Sequence, residues 1–421
     1  MSAVVSAAHL LNPTGSVSKR GYSPAVWAVA LLPYFILVCG DNSFTFQSAY
    51  FCLGLMVFAA FFSKERAAYS RHAIGLIVSY LIIMGIGNLV TLAIASEMIT
   101  SKSLIRALMF LAIIWFFAHA ISRRWSPREI TFLLKSVALS TFASAFLELK
   151  TWVENGFYAG RVYPVSLTGH MIDANFFALL LVVQISCAFL LVVYSSNVRV
   201  KILYFILISF GLASVMLTGS RSGLLCIVLV IAFGYIAFVC SERTGKLSTT
   251  VLVFVLVAVA LFLINRFMGD WMFNRFFKNS YNDGSNQFRV ELWVKAVQRW
   301  MSRPLFGFGV GNYNYFSAED WGVVETSTTT HGTITDFLVD FGLIGLLLFF
   351  SVLIRIFRGL LQGKGYTPLA LCPGIVVCWL IVGAERTVAL WLFLIIFYVL
   401  ADYLSCNQEH SMKDNLPIRK K

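Results

Sequence analysis

The residues of this chain best suited to chemistry are two histidines and a few arginines lying outside its apolar runs. His170 and His331 fall in segments between such runs, whereas His9 and His410 are in the tails, His72 is in a basic loop and His119 is near the end of a run. An imidazole neutral near pH 7 takes a proton from a hydroxyl nucleophile, the step that acyl or glycosyl transfer to a sugar needs. Arg221 in LTGSRSGLL, Arg289 in QFRVELWVKAVQRWMSRP and Arg161, which shares its loop with Lys150, supply guanidinium forks that match phosphate oxygens. Asp336 and Asp340 stand four apart on one helical face at the start of an apolar run. They would orient a base or a cation, or pair with Lys102, Arg106, Arg221 or Arg386, because unpaired carboxylates at membrane depth are costly. The same residues also have plain structural readings: backbone-bonded loop histidines, a snorkelling Arg221, and a basic interfacial helix around Arg289.

Several chemistries are missing. No two carboxylates stand two apart, so there is no DxD-type pair to hold a divalent metal against a diphosphate. A phosphorylated substrate would have to be neutralised by arginine and lysine. No GxSxG, HExxH, Walker A or Cys/His cluster occurs, and the eight cysteines show no CxxC spacing, so no metal site, cofactor or disulfide framework is expected. The GxGxG of Gly307, Gly309 and Gly311 follows no strand and opens no βαβ unit, which excludes a dinucleotide fingerprint.

The elements that must position these residues are set by composition. Of 421 residues, 59% are hydrophobic and 13% charged, which excludes a soluble fold. The apolar runs are continuous rather than alternating, which excludes a β-barrel. Spans are predicted near residues 24–40, 44–63, 73–95, 104–122, 131–148, 174–194, 202–219, 222–240, 249–266, 333–356, 369–385 and 387–405. The expectation is an all-α integral membrane protein, one polytopic domain over 1–421. Nineteen Lys and Arg fall in one set of alternate loops and tails, against six in the short loops of the other side. The net charge of +13 is therefore mainly an orientation signal rather than a nucleic-acid surface, and it puts both termini in the cytoplasm. Lys19 and Arg20 precede a full-length span, so the first helix is expected to be a retained anchor. Two segments on the opposite side exceed simple turns: 149–173, and a large loop at 267–332. In the large loop Phe288, Leu292, Trp293, Ala296, Val297, Trp300 and Met301 share a helical stripe, predicting an interfacial helix that Pro304 stops.

Three separated pieces, GSRSG around Arg221, FRVELWVKAVQRWMSRPLFGFGVGN from Arg289, and HGTITDFLVDFGLIGLL from His331, resemble in type and order the core of the O-antigen ligase and O-antigen polymerase superfamily. Gly332 and Asp340 stand where members often carry Asn and Glu. The resemblance implies a multi-span glycosyltransferase of the bacterial inner membrane with its active site facing the periplasm. It would take glycan from an undecaprenyl diphosphate carrier and, as a ligase, pass it to the lipid A–core oligosaccharide. By the same resemblance Arg221 and Arg289 would bind the diphosphate, with Arg161 as a further cation, and His331 would be the base, supported by His170, Asp336 and Asp340. The reaction would be a metal-independent, inverting displacement. Two other readings are an O-antigen polymerase and a lipid-linked glycan flippase, the latter expected to show midplane charges and broken helices in matching halves.

Overall fold

Continuous apolar runs satisfy their backbone groups inside a bilayer only by coiling into helices, and the described residues are helical nearly throughout. The computed structural model describes residues 22–40, 54, 69–94, 99, 101–156, 160–195, 197–240, 246–263, 274, 284–312, 330–381 and 387–414. Its helices are α1 (Pro24–Cys39), α2 (Arg71–Ile94), α3 (Ser101–Ser122), α4 (Pro127–Glu154), α5 (Ala174–Tyr194), α6 (Val198–Thr218), α7 (Arg221–Val239), α8 (Lys246–Leu263), α9 (Gly284–Ser302), α10 (Thr333–Gln362), α11 (Tyr366–Ile381) and α12 (Val388–Asp414). Eight of the described helices, α2 to α7, α10 and α12, are long and apolar enough to cross a membrane. The run at 44–63 lies outside the described residues except for Gly54, as do 267–273, 275–283 and 313–329 of the large loop. The one β-bridge among the described residues joins Val165 and Met171.

The centre of the bundle is α5, every residue of which is buried, as expected of a helix that is apolar all round. It packs against α4, α6, α7, α11 and α12. Gln184 Nε2 of α5 donates to Ser140 and Ser144 of α4 at 2.8 and 2.9 Å, whereas Gln184 Oε1 and both carboxylate oxygens of the fully buried Glu148, one turn further along α4, have no hydrogen-bond partner among the described residues. Close approach at this joint depends on Gly211 of α6, where a Cβ would come within 2.7 Å of Ile185.

The run from 333 onward, read in sequence as a continuous span, is broken at Gly342 (φ 65, ψ −168). The Gly-rich loop following α9 fills the break. In an unbroken helix the N–H of Leu343 would donate to Val339 and that of Ile344 to Asp340. Instead the two carbonyls accept from Phe308 and Gly309 at 2.8 and 3.0 Å, and the two N–H groups donate to the carbonyls of Pro304 and Leu305 at 2.8 and 3.2 Å. Thus all four backbone groups released by the break are bonded to the loop, as they must be inside a bilayer. The glycines permit this approach. A Cβ on Gly342 would meet Leu305 C and O at 2.3 Å, and one on Gly307 (φ 67) would meet the Val339 carbonyl at 2.5 Å. Behind the loop, Thr91 Oγ1 of α2 donates to the Phe308 carbonyl at 2.7 Å and Asn312 pairs with Asn88. The GxGxG is therefore a structural clasp gripped by α2 and α10.

This clasp predicts a contrast between two glycines. Gly342→Ala should lower stability by about 2–4 kcal/mol, combining the cost of a strained φ with overpacking. Gly85→Ala, in α2 with no atom near its Cβ position, should leave stability unchanged or raise it by up to about 1 kcal/mol. Thermal unfolding of the two variants in detergent checks this, and equal losses would contradict the clasp.

Candidate functional site

The GSRSG turn owes each of its small residues to local geometry. Gly219 (φ 58) ends α6 in the left-handed conformation, and Ser220 caps α7 by accepting from the Gly223 N–H at 3.2 Å. A Cβ on Gly223 would lie 2.6 Å from that of Ala178, so α7 starts pressed against α5. Arg221 follows the cap as the first residue of α7 and is half-buried. Ser220 Oγ also donates to Asn175 Oδ1 at 3.1 Å, and the same oxygen accepts from Arg161 Nη2 at 2.8 Å. Arg161 Nε donates to the Thr218 carbonyl at 3.0 Å and its guanidinium lies over the Tyr163 ring. Two cations from distant parts of the sequence are thereby fixed at the same end of the bundle.

The segment before α5 is pinned rather than loose. α4 continues to Glu154, well inside the segment expected as a loop from 149. Val162 N–H then donates to Leu217, Val165 N–H to Thr151 Oγ1, and Leu167 and Thr168 N–H groups to the end of α1. His170 belongs to this pinned turn. Its N–H donates to Ser166 Oγ at 3.0 Å and its Cβ packs near Gly40. Asp173 caps α5, accepting from Asn175 and Phe176.

His331 sits just before α10, half-buried, with φ 55. Such a left-handed residue other than glycine costs on the order of 1 kcal/mol and persists only where its surroundings hold it. Two features hold it here. Asp336 Oδ1 accepts the Thr330 N–H at 2.8 Å, fastening the backbone ahead of the histidine. Behind it Gly332 is pressed on the Trp293 indole of α9, where a Cβ would come within 2.8 Å of Nε1. Glycine at 332, a departure from the family pattern, is thus demanded by the tryptophan. Trp293 Nε1 itself is buried with no hydrogen-bond acceptor among the described residues.

The electrostatics of His331 follow from this packing. Burial lowers its pKa from the ordinary imidazole value, the Arg289 charge lowers it further, Asp173 opposes the shift, and Arg161 adds to it. The ring is therefore neutral at pH 7 and free to accept a proton. Arg289, Arg161 and Asp173 lie in its electrostatic surroundings although they are far apart in the sequence.

Asp336 and Asp340 lie on one buried face, and each carboxylate accepts a backbone N–H. Asp340 Oδ1 accepts the Gly311 N–H at 3.4 Å, and Arg106 donates to the Gly311 carbonyl from the other side at 3.4 Å. Arg386 and the side chains of Lys102 and Phe288 lie outside the described residues. The stripe assigned to α9 divides. Leu292 and Ala296 are buried, whereas Val297 and Met301 face outward with Val290 and Val294, because α9 packs one edge on α10 and leaves a second apolar edge open. Sequence reasoning missed Asn175, Thr330 and the contact role of Trp293. An Asn two residues after a helix-capping Asp was the only available signal for the first.

Residues 205–350 match the family described as O-antigen ligase. The match covers about a third of the chain, which is similar to that family over this segment. It carries Arg221, Arg289, the clasp, His331, Asp336 and Asp340, and Arg161, Asp173 and Asn175 precede it. Among curated proteins, none matches the chain.

Opposing charges around the imidazole predict opposing shifts. Arg289→Ala removes a cation that disfavours the imidazolium, so the His331 pKa should rise. Asp173→Asn keeps the helix cap but removes the anion that favours imidazolium, so the pKa should fall. The pH dependence of diethyl pyrocarbonate modification at His331 reads both, and shifts of the same sign would refute the arrangement.

Proposed function

We propose that this protein is a membrane glycosyltransferase that moves O-antigen glycan from undecaprenyl diphosphate to the lipid A–core oligosaccharide, at the periplasmic face of the bacterial inner membrane. The observation that carries this reading is a neutral, backbone-strained His331 set among Arg289 and Arg161 at the bundle end where α7 begins with Arg221. The matched O-antigen ligase family, which includes His331 and two of the three arginines, supports it.

The chemistry follows from what each group does. His331 takes the proton from the acceptor hydroxyl as its oxygen attacks the anomeric carbon. The new glycosidic C–O bond forms while the bond to the carrier diphosphate breaks, with inversion, and the electron pair leaves on the diphosphate oxygen. Arg221, Arg289 and Arg161 hold that oxygen cluster. Cations already fixed by hydrogen bonds, as Arg161 is by Asn175 and Thr218, need not reorganise as the leaving charge develops. The scheme assigns no step to a metal or cofactor. Asp336 positions the base through Thr330, and His170, held in its own turn, takes no direct step.

The flippase reading draws on broken helices, and α10 is broken. Its gap, however, is filled by the chain's own loop, which leaves no substrate path there, so transfer is favoured over transport.

His331→Ala should lose about 10²–10⁴ of the transfer rate while retaining carrier binding, and Arg289→Ala should weaken carrier binding. His331→Gly separates chemistry from folding: it relieves the left-handed strain, so thermal stability should hold or rise while transfer is lost. Normal transfer by His331→Ala would sink the assignment. Lipopolysaccharide profiling of a null strain tests the acceptor. Bare core with accumulated carrier-linked polymer supports ligation, whereas core capped by one repeat overturns it in favour of polymerisation.

A further inference from the structure

A cavity of about 520 Å³ opens at the bundle end opposite the candidate site, between the start of α2 and the last turns of α10 and α12. His72, Arg355, Arg358 and Gln362 line it together with Tyr398 and Asp402. The His72 ring stacks on Tyr398 with an interplanar angle of 10°, and the Arg355 guanidinium lies over the same ring at 5.5 Å. His72 Nε2 is buried with no hydrogen-bond partner among the described residues. Asp402 is the sole carboxylate in the wall, and it is shared. It is acted on by Arg355 and by Arg124, which lines a neighbouring cavity of about 220 Å³ that includes the same Tyr398 and Asp402. Arg358 has no ion-pair partner among the described residues. Among the described residues of the wall, cations therefore outnumber the one carboxylate.

The chemistry missing is that of a phosphate: a compact anion that accepts from guanidinium, amide and imidazole donors together. The surroundings indicate its source. Ile354 lines the cavity and is 49% exposed, and it lies on an apolar stripe of α10 with Leu347 and Leu361, all facing outward. A phosphate seated among Arg355, Arg358 and His72 would thus have an apolar, lipid-facing wall directly beside it. Basic pockets between membrane helices that open onto such walls suit lipid headgroups. We propose that this cavity binds the headgroup phosphate of an anionic phospholipid, with its acyl chains lying along α10. The site is separate from the glycan-transfer reading and does not depend on it.

The test uses the purified full chain in neutral detergent. Phosphatidylglycerol should raise its thermal unfolding temperature above the shift given by phosphatidylcholine at the same concentration, since a ligand that binds only the folded state stabilises it. Arg358→Gln should keep the lipid-free unfolding temperature yet bind phosphatidylglycerol about tenfold more weakly, the effect of losing one charge-assisted bond. Native mass spectrometry reads the same loss as fewer retained anionic lipids. Equal shifts with the two lipids, or an unchanged response in Arg358→Gln, would overturn the proposal. A full shift with inorganic phosphate alone would overturn the lipid assignment and leave a free-anion site. Should Arg358→Gln fail to fold, His72→Gln, which keeps a donor but loses the ring, serves as the second variant with the same expected direction.

Discussion

The architecture turns on a single exchange of backbone hydrogen bonds. Where α10 breaks at Gly342, two helix bonds are lost, and the four groups they leave are all taken up by the loop from Pro304 to Gly309. Within a bilayer no water is available for those groups, so the break and the loop require each other. Because the loop continues directly from α9 and α10 continues directly from His331, this exchange fixes Arg289 and Trp293 relative to the imidazole. The remaining contacts of the loop, to Thr91, Asn88 and Arg106, tie that pair of elements to α2 and α3.

Charge is arranged with different economy at the two ends of the bundle. At the candidate site, arginines and a histidine are brought close and few anions oppose them. Asp173 is partly committed to capping α5, and Asp336 and Asp340 are committed to backbone N–H groups. At the other end, Arg123 is spent on Glu129 and Ser23, whereas Asp402 faces arginines from two sides. Where like charges are held together in a protein, either the fold over-determines them or an absent anion completes them. Both ends show the fastening that this requires: Asn175 and Thr218 on Arg161, and Tyr398 beneath Arg355.

Much of the helical framework was legible because it needs only local information. The limits of α5 agree with the run read from the sequence, since an apolar segment bounded by Asp173 and Ser195 has no other stable state in lipid. The capping box of Ser126 and Glu129 with Pro127 behind it is likewise written in adjacent residues. The break in α10 was not legible. Gly342 reads as one small residue within an apolar run, and only the loop that occupies the gap explains it. The GxGxG reads in sequence as a glycine-rich loop that follows no strand, and its role as a clasp depends on carbonyls more than thirty residues away in sequence.

The sequence by itself determined that this is a helical membrane protein and where most of its long helices run. These follow from hydrophobicity, helical period and the cost of charge in lipid, all of which act on residues near one another in the chain. Only the tertiary structure decided that Arg161, Asn175 and Ser220 form one bonded set, that Gly332 yields its place to Trp293, and that His331 has a left-handed backbone and an imidazole pKa lowered by burial. Those outcomes depend on distances between helices remote in sequence, and such distances are set by packing rather than by pattern.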